Sequence, residues 1–505
     1  MKNAKVKRFD GPILRRVVLA TVLLAGIALR IWAYAQNPSL YLDEANLARN
    51  VAERSFSGFF QTLDYHQYAP PLFLSLVKGA TLLFGQGEWG LRLWPLFAGI
   101  GALIMLWHLN QCWALPWLGQ FYSLALFAGS GLAILYSVSA KQYSTDMLVT
   151  LLLIFLADRD LRNGQPQAWN RWIWIGALAP WLSMPSVFIL SGVGLAFGWR
   201  SIRQNGTWTW TKETTAWLIT GLVWLSSFGA YYWFLLRSDI ESEFLQQWHQ
   251  DYFLPLLPLS VESWAQFSAV GLQIFKAAFG FTGLAVGLGL VLFILGVIRL
   301  TREPVVGWLL LIPLLACWVA SALQQYSMMS RLLSFAFPII WLVAAWGSQF
   351  LLEKTGSWLS WVLFPLLLAS LSVAGVWKKM DQPVADEGSR QALEVLTEEW
   401  QPGDGLFIYR WAEPAYAYYH LHHPDKADFQ FHPWYHNPTS AGFEWEEAQE
   451  RLSGTKRIWL LYTHVLDEAE KQPMLTDINQ IEPTNNVSII LSIPGTYLYL
   501  IRPNE

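Results

Sequence analysis

The sequence predicts a polytopic α-helical membrane protein of about eleven transmembrane helices that ends in a soluble α/β domain. Three observations predict this class. Of 505 residues, 54% are hydrophobic and only 14% charged, where soluble domains carry roughly a quarter. Apolar runs suited to crossing a bilayer recur between residues 17 and 377. From about Lys378 the composition turns to that of a soluble domain. The net charge of −3 offers no basic surface for nucleic acid.

The first run, residues 17–35, follows a basic head of Lys2, Lys5, Lys7, Arg8, Arg15 and Arg16, which places the N-terminus in the cytoplasm. It ends on Ala33-Tyr34-Ala35, the form of a signal-peptidase site. Its apolar length of about 19 residues nevertheless suits a spanning helix better than a signal peptide. Further spans are predicted at 92–109, 117–136, 143–157, 172–183, 186–199, 214–236, 281–298, 304–324, 332–352 and 358–377. The segment 172–199 also reads as one long helix kinked at Ser183-Met184-Pro185-Ser186. Eleven spans put the Lys- and Arg-rich connections (1–16, 158–171, 200–213, 299–303) inside and the long segments 36–92 and 237–280 outside. Thirty Trp residues fit anchoring at both interfaces. Cys112 and Cys317 fall in a cytoplasmic hairpin and an apolar span, so neither a disulfide framework nor a Cys-based zinc site is expected.

The chemistry concentrates in segment 36–92. Tyr41 to Asn50 (YLDEANLARN) places adjacent carboxylates, Asp43 and Glu44, just beyond the first span. The same residues suit a helix start, with Asp43 as N-cap of a helix 45–54. His66 to Phe73 (HQYAPPLF) leads into Pro71 to Phe84, an apolar run too short to span and predicted to lie along the interface with its prolines in the first turn. Gly87 to Pro95 (GEWGLRLWP) brings Glu88 and Arg92, four apart on one helix face and suited to an i,i+4 ion pair. Two cations lie on the same predicted face: Lys141, in the short turn after the third span, and Arg331, opening a later span. Both suit a phosphate at the interface, and both also suit anchoring of helix ends. Arg49 is placed to pair with a carboxylate or to reach the same phosphate. The segment 237–280 reads as a substrate-covering loop or as a connector with an interfacial helix.

This order of motifs resembles the first extracytoplasmic loop of the GT-C superfamily of glycosyltransferases. In particular it resembles the protein mannosyltransferases, the lipid A aminoarabinose transferases and their bacterial relatives. The resemblance covers roughly residues 15–375 and implies a GT-C-like transmembrane domain, 1–377, with a catalytic first outer loop at 36–92. It implies an inverting hexosyl- or pentosyltransferase of a bacterial-type inner membrane, working on the extracytoplasmic face with a polyprenyl-phosphate sugar as donor. The acceptor is a lipid, glycan or protein hydroxyl. Asp43 is then the base, while Glu44 orients the acceptor, holds a cation or positions the loop. Lys141, Arg331 and Arg49 are donor-phosphate ligands, with His66, Glu88 and Arg92 supporting acceptor or loop. A divalent cation on Glu88 and His66 is compatible with the pattern. Leu332 stands where relatives often carry an aromatic residue, which weakens the match at Arg331.

In the extracytoplasmic domain, 378–505, helices are predicted at 389–400, 412–421 and 443–453, strands at 405–410 and 457–463, and a closing hairpin over 487–501 turned at Pro494-Gly495. No Gly-rich phosphate loop or nucleophile elbow appears there. His420, His422, His423, His432 and His436 read as a surface loop rather than a metal cluster. Two other classes compete with the transferase. A transporter or lipid-linked-glycan flippase calls for ionisable residues within its spans or helices broken at the midplane, whereas Asp146, near one end of its span, is the only obvious acid there, and a flippase has no need of an outer Asp-Glu pair. A scaffold binding cell-wall polymers has no need of Asp43.

Overall fold

The computed structural model describes residues 12–164, 168–205, 210–280, 282–355, 387–424, 433–435, 455, 457–465 and 468–503. The chain opens with α1 (Pro12–Ala35), and the first loop folds into α2 (Leu42–Glu53) and α3 (Pro71–Phe84). The body continues through α4 (Glu88–Cys112), α5 (Trp117–Gly129), α6 (Gly131–Ser137), α7 (Tyr143–Asn163), α8 (Trp169–Leu182), α9 (Ser186–Asn205) and α10 (Lys212–Tyr231). After the short α11 (Arg237–Ile240) and α12 (Glu243–His249) come α13 (Val261–Phe279), α14 (Gly283–Leu300), α15 (Pro304–Ala322) and α16 (Phe337–Thr355).

Among the described residues, six helices are long and apolar enough to cross a membrane: α1, α4, α10 with its continuation to Leu236, α14, α15, and α16 with the turn before it. A seventh is the pair α5 and α6, bent by 55°. The other predicted segments fall on α7, which carries Asp146, Asp158, Arg159, Asp160 and Arg162, and on α8 and α9. The 358–377 span lies outside the described residues. The 172–199 segment is two helices: the chain breaks between Leu182 and Ser186, with α8 packed on α10 and α9 on α15 and α7.

The break inside 117–136 is a correction to the straight span expected there. It falls in Gly129-Ser130-Gly131, where Ser130 caps α6 by accepting from the Ala133 N–H. Broken helices in lipid need new partners for the carbonyls they release. Here the fully buried Arg30 of α1 donates to Phe127 O at 3.0 Å. Close backbone contact joins α14 to α16, because a Cβ at Gly296 would overlap the Val343 carbonyl and one at Gly347 the Leu292 carbonyl.

The C-terminal part is a five-stranded mixed sheet of order β2-β1-β3-β5-β4. Its strands are β1 (Gly405–Ile408), β2 (Pro433–Tyr435), β3 (Ile458–Val465), β4 (Asn485–Ile493) and β5 (Gly495–Pro503). β1 runs parallel to β2 and β3, while β5 is antiparallel to β3 and β4. Helices Ser389–Glu399 and Glu413–Leu421 stand where expected. Helix Glu468–Ile481 and strand β2 were not foreseen, and the expected helix 443–453 lies outside the described residues. This domain does not stand apart. Leu40, Leu47, Val51, Phe59, Phe73 and Leu74 of the first loop share one apolar core with Leu393, Leu406, Tyr416 and Trp459 of the domain.

Candidate active site

Helix α2 carries the site. Tyr41 precedes it in an extended conformation and caps nothing with its side chain, and the Ala45 N–H already donates to Tyr41 O at 2.9 Å. Asp43 is therefore the second residue of the helix and not its N-cap, which corrects the capping alternative. A residue outside the helix, Glu387, accepts from the Leu42 N–H at 3.2 Å and takes over that task.

Consecutive positions on α2 point Asp43 and Glu44 to different surroundings. Glu44 is fully buried and gripped by Arg92, with Nε–Oε1 at 3.1 Å and Nη2–Oε2 at 2.5 Å, and it also accepts from the Ala140 N–H. Arg92 spends its other contacts on Pro38 O and Ser39 O. This pair pins the start of the loop to α4 and to the turn that holds Lys141. Asp43 is 37% exposed and faces two cations. Arg331 Nη1 lies 3.4 Å from its Oδ2 across 288 positions of sequence. Lys141, then Arg331, hold the Asp43 carboxyl below its ordinary range, against the opposite push of burial.

Lys141 is 5% exposed and donates to Gln67 Oε1 at 2.6 Å, and the Gln67 amide also faces Asp43. Gln67 is a site residue the sequence did not reveal. It is aimed by two successive left-handed residues, Tyr65 (φ 62°) and His66 (φ 51°), a conformation that non-glycine residues adopt at some cost. Arg331 keeps donors unspent, since its buried Nε has no hydrogen-bond partner. An incompletely satisfied guanidinium beside a lysine is suited to an anion such as a phosphate.

The other sequence candidates go elsewhere. Arg49 pairs with Glu413 of the C-terminal domain at 3.2 Å, lies 3.8 Å from Glu53, and stacks 3.8 Å over the Tyr65 ring. Glu88 and Arg92 do not pair with each other. Glu88 instead binds Arg390 at 2.7 Å, the Tyr419 hydroxyl at 2.7 Å and His423 at 3.1 Å. Those contacts clasp the domain onto α4 and occupy the carboxylate proposed for a metal. His66 lines a cavity. Among the described residues no group of three or more His, Cys, Asp or Glu side chains is placed to hold a metal ion.

That cavity measures about 500 Å³ and is walled by His66, Gln142, Asp146, His249, Tyr326 and Leu332, among others. It opens beside the cluster, because Gln142 and Leu332 directly follow Lys141 and Arg331, and His66 precedes Gln67. The segment 237–280 contributes His249 and Phe253 to the wall. An apolar groove of about 390 Å³, formed by α8, α9 and α10, shares Val187, Ser191 and Phe228 with the wall of the cavity.

Fold and site together define a multi-pass membrane protein in which a first-loop acid meets two cations at the edge of a cavity, beneath an α/β domain. No protein-family profile and no curated protein matches the sequence. Among solved structures, the chain is similar to the crystal structure of ArnT from Cupriavidus metallidurans bound to undecaprenyl phosphate, at 11% identity and a TM-score of 0.48 over 97% of both chains. It is also similar to the apo structure of that protein, at 11% identity and a TM-score of 0.37 over 96% of this chain and 97% of the other.

Proposed function

We propose that the protein is an inverting GT-C-type glycosyltransferase that moves a sugar from a polyprenyl-phosphate donor to an acceptor hydroxyl on the extracytoplasmic face of a bacterial-type inner membrane. The observation that carries this reading is the meeting of Asp43 with Arg331 and Lys141, three residues from distant parts of the chain, beside a cavity whose wall shares residues with an apolar groove. Asp43 removes the acceptor proton as the hydroxyl oxygen attacks the anomeric carbon. The bond from that carbon to the phosphate oxygen breaks, and polyprenyl phosphate leaves with the electron pair. Arg331 and Lys141 hold the departing charge. The apolar groove is the path for the prenyl chain. Asp43 rests ionised between the cations, and a donor phosphate that neutralises them strengthens it as a base. A transporter reading has Asp146 in its favour but gives the acid–cation cluster no task.

Arg331→Ala and Lys141→Ala test the phosphate assignment. Each is expected to weaken binding of undecaprenyl phosphate by roughly ten- to a hundredfold, the loss of a charge-assisted hydrogen bond of about 1.5–3 kcal/mol. Arg331→Ala should leave the thermal midpoint unchanged, because its side chain is 38% exposed. Unchanged affinity in both variants returns the two cations to the role of membrane anchors.

The orientation is tested by labelling. In a protein with Cys112 and Cys317 replaced by serine, Ser55→Cys and Thr476→Cys are both expected to react with a membrane-impermeant maleimide from outside intact cells. Reaction only after lysis contradicts the proposed face.

A further inference from the structure

The C-terminal domain carries a pair of residues that the transfer chemistry leaves unassigned. His464 lies on β3 in a left-handed conformation (φ 61°), at the point where pairing with β5 slips between Thr463 and Val465. A bulge of this kind redirects a side chain away from its regular alternation, and positive φ on a residue other than glycine is costly enough to invite a functional reason. The redirected imidazole places Nδ1 at 2.6 Å from Glu387 Oε1, and its ring packs edge to face with Trp411. Glu387 is 1% exposed, and its second oxygen receives the Leu42 N–H, one residue before Asp43. The first N–H groups of a helix have no partner within it, and a carboxylate there is favoured by the helix dipole. Since Tyr41 supplies no cap, the domain supplies one.

Neighbouring contacts act on the same few residues. Ser39 Oγ donates to Gln391 Oε1 at 2.5 Å and accepts from the Arg390 N–H at 3.2 Å, and the Leu40 N–H donates to the Tyr419 hydroxyl at 3.1 Å. The segment leading into Asp43 is thus held from the domain at Ser39, Leu40 and Leu42, as well as at the Asn37 carbonyl through Arg390, and the Glu387 contact is nearest the base. The charged groups around the pair are Glu44 and Asp43, both on α2. Burial pushes the Glu387 carboxyl up, opposed by His464 and the Leu42 N–H.

We infer that Glu387 and His464 are positioning residues for Asp43: the C-terminal domain sets the angle of the first turn of α2 and so aims the base, without touching the substrate. This inference rests on the proposed transfer reaction. It predicts a division between binding and turnover, because Lys141 is held by Gln67 and Arg331 stands at the turn before α16, and the Glu387 cap acts on neither. Glu387→Ala and His464→Ala are expected to bind undecaprenyl phosphate within twofold of wild type while transfer per folded molecule falls about tenfold or more, since small misplacements of a reacting group are costly in rate. Glu387→Gln should restore most of the loss, because its amide oxygen still accepts from the Leu42 N–H.

Transfer is read by mass spectrometry of surface glycolipids and polysaccharides, normalised to folded protein, in cells expressing each variant, with Asp43→Asn in the same series. If wild type transfers sugar, Asp43→Asn does not, and Glu387→Ala transfers at the wild-type rate, the inference is overturned and the reaction stands. It is also overturned if undecaprenyl phosphate binding falls in step with transfer, since the pair then supports the whole site rather than the base. Absence of transfer by wild type, or full transfer by Asp43→Asn, overturns the reaction and this inference together.

Discussion

Asp43→Asn is expected to give a protein that folds, inserts and binds undecaprenyl phosphate normally, yet transfers sugar slower by about 10² or more, the usual contribution of a positioned base. The substitution conserves size, and it disturbs no cap because Asp43 is not the N-cap of α2. It removes a negative charge from between Arg331 and Lys141, so donor affinity should hold or rise. The pH dependence carries a sign. A base loses activity as it protonates, and Lys141 and Arg331 depress the Asp43 carboxyl. In the free enzyme, activity should therefore persist below the ordinary carboxylate range near 4 before failing. With donor bound, the cations are partly neutralised, and the acid limb of turnover should move to higher pH. Transfer assays at saturating and limiting donor separate the two profiles.

The second large effect is on stability. Arg92→Ala is expected to destabilise the protein by about 3–5 kcal/mol, the cost of leaving one member of a buried pair without its partner. The side chains of Arg92 and Glu44 are 2% and 0% exposed. Loss of the guanidinium also strips partners from Pro38 O and Ser39 O. Thermal unfolding in detergent and the yield of inserted protein read this directly. A wild-type midpoint for Arg92→Ala contradicts the role of the pair as the brace of the first loop. The contrast with Arg331→Ala, expected to be thermally silent, separates the arginine that braces the loop from the one proposed to hold the donor phosphate.

The sequence made the apolar architecture legible because hydropathy over a span of ~20 residues is a strong signal. Pro71–Phe84 was bounded correctly because proline marks its first turn. The closing hairpin was legible from its alternation and from Gly495, which turns it at φ 80°. The bend between α5 and α6 was missed, although Gly129-Ser130-Gly131 is the kind of stretch at which helices kink. The convergence of Asp43, Lys141 and Arg331 was anticipated from the membrane face predicted for all three, and spacing alone gives no means of joining residues 288 positions apart. The roles within the site were harder to separate. Asp43 and Glu44 are neighbours in sequence, but helix geometry turns one toward Arg331 and Lys141 and the other into the protein. Arg49 was read as a site residue from its place on the helix of Glu44, and Glu88 from the family resemblance, yet their partners, Glu413, Arg390 and His423, belong to the distant domain. His422 and His423, read as part of a surface loop, instead reach Glu53 and Glu88, and His423 is buried. Glu387 and His464 carried no local signal, because a bulge and a cap supplied from another domain arise only from tertiary contact.

Consumption of a polyprenyl-phosphate sugar at Asp43, as proposed, leaves a trace in the lipid pool of the cell. The most direct measurement is mass spectrometry of lipid extracts and surface glycans from cells lacking the gene and complemented with wild type, Asp43→Asn or empty vector. The account predicts that empty-vector and Asp43→Asn cells share one pattern, with a polyprenyl-phosphate sugar accumulated and one sugar missing from a surface glycolipid, glycan or protein, and that wild type reverses both. A surface glycan and lipid pool that Asp43→Asn restores as fully as wild type would contradict it.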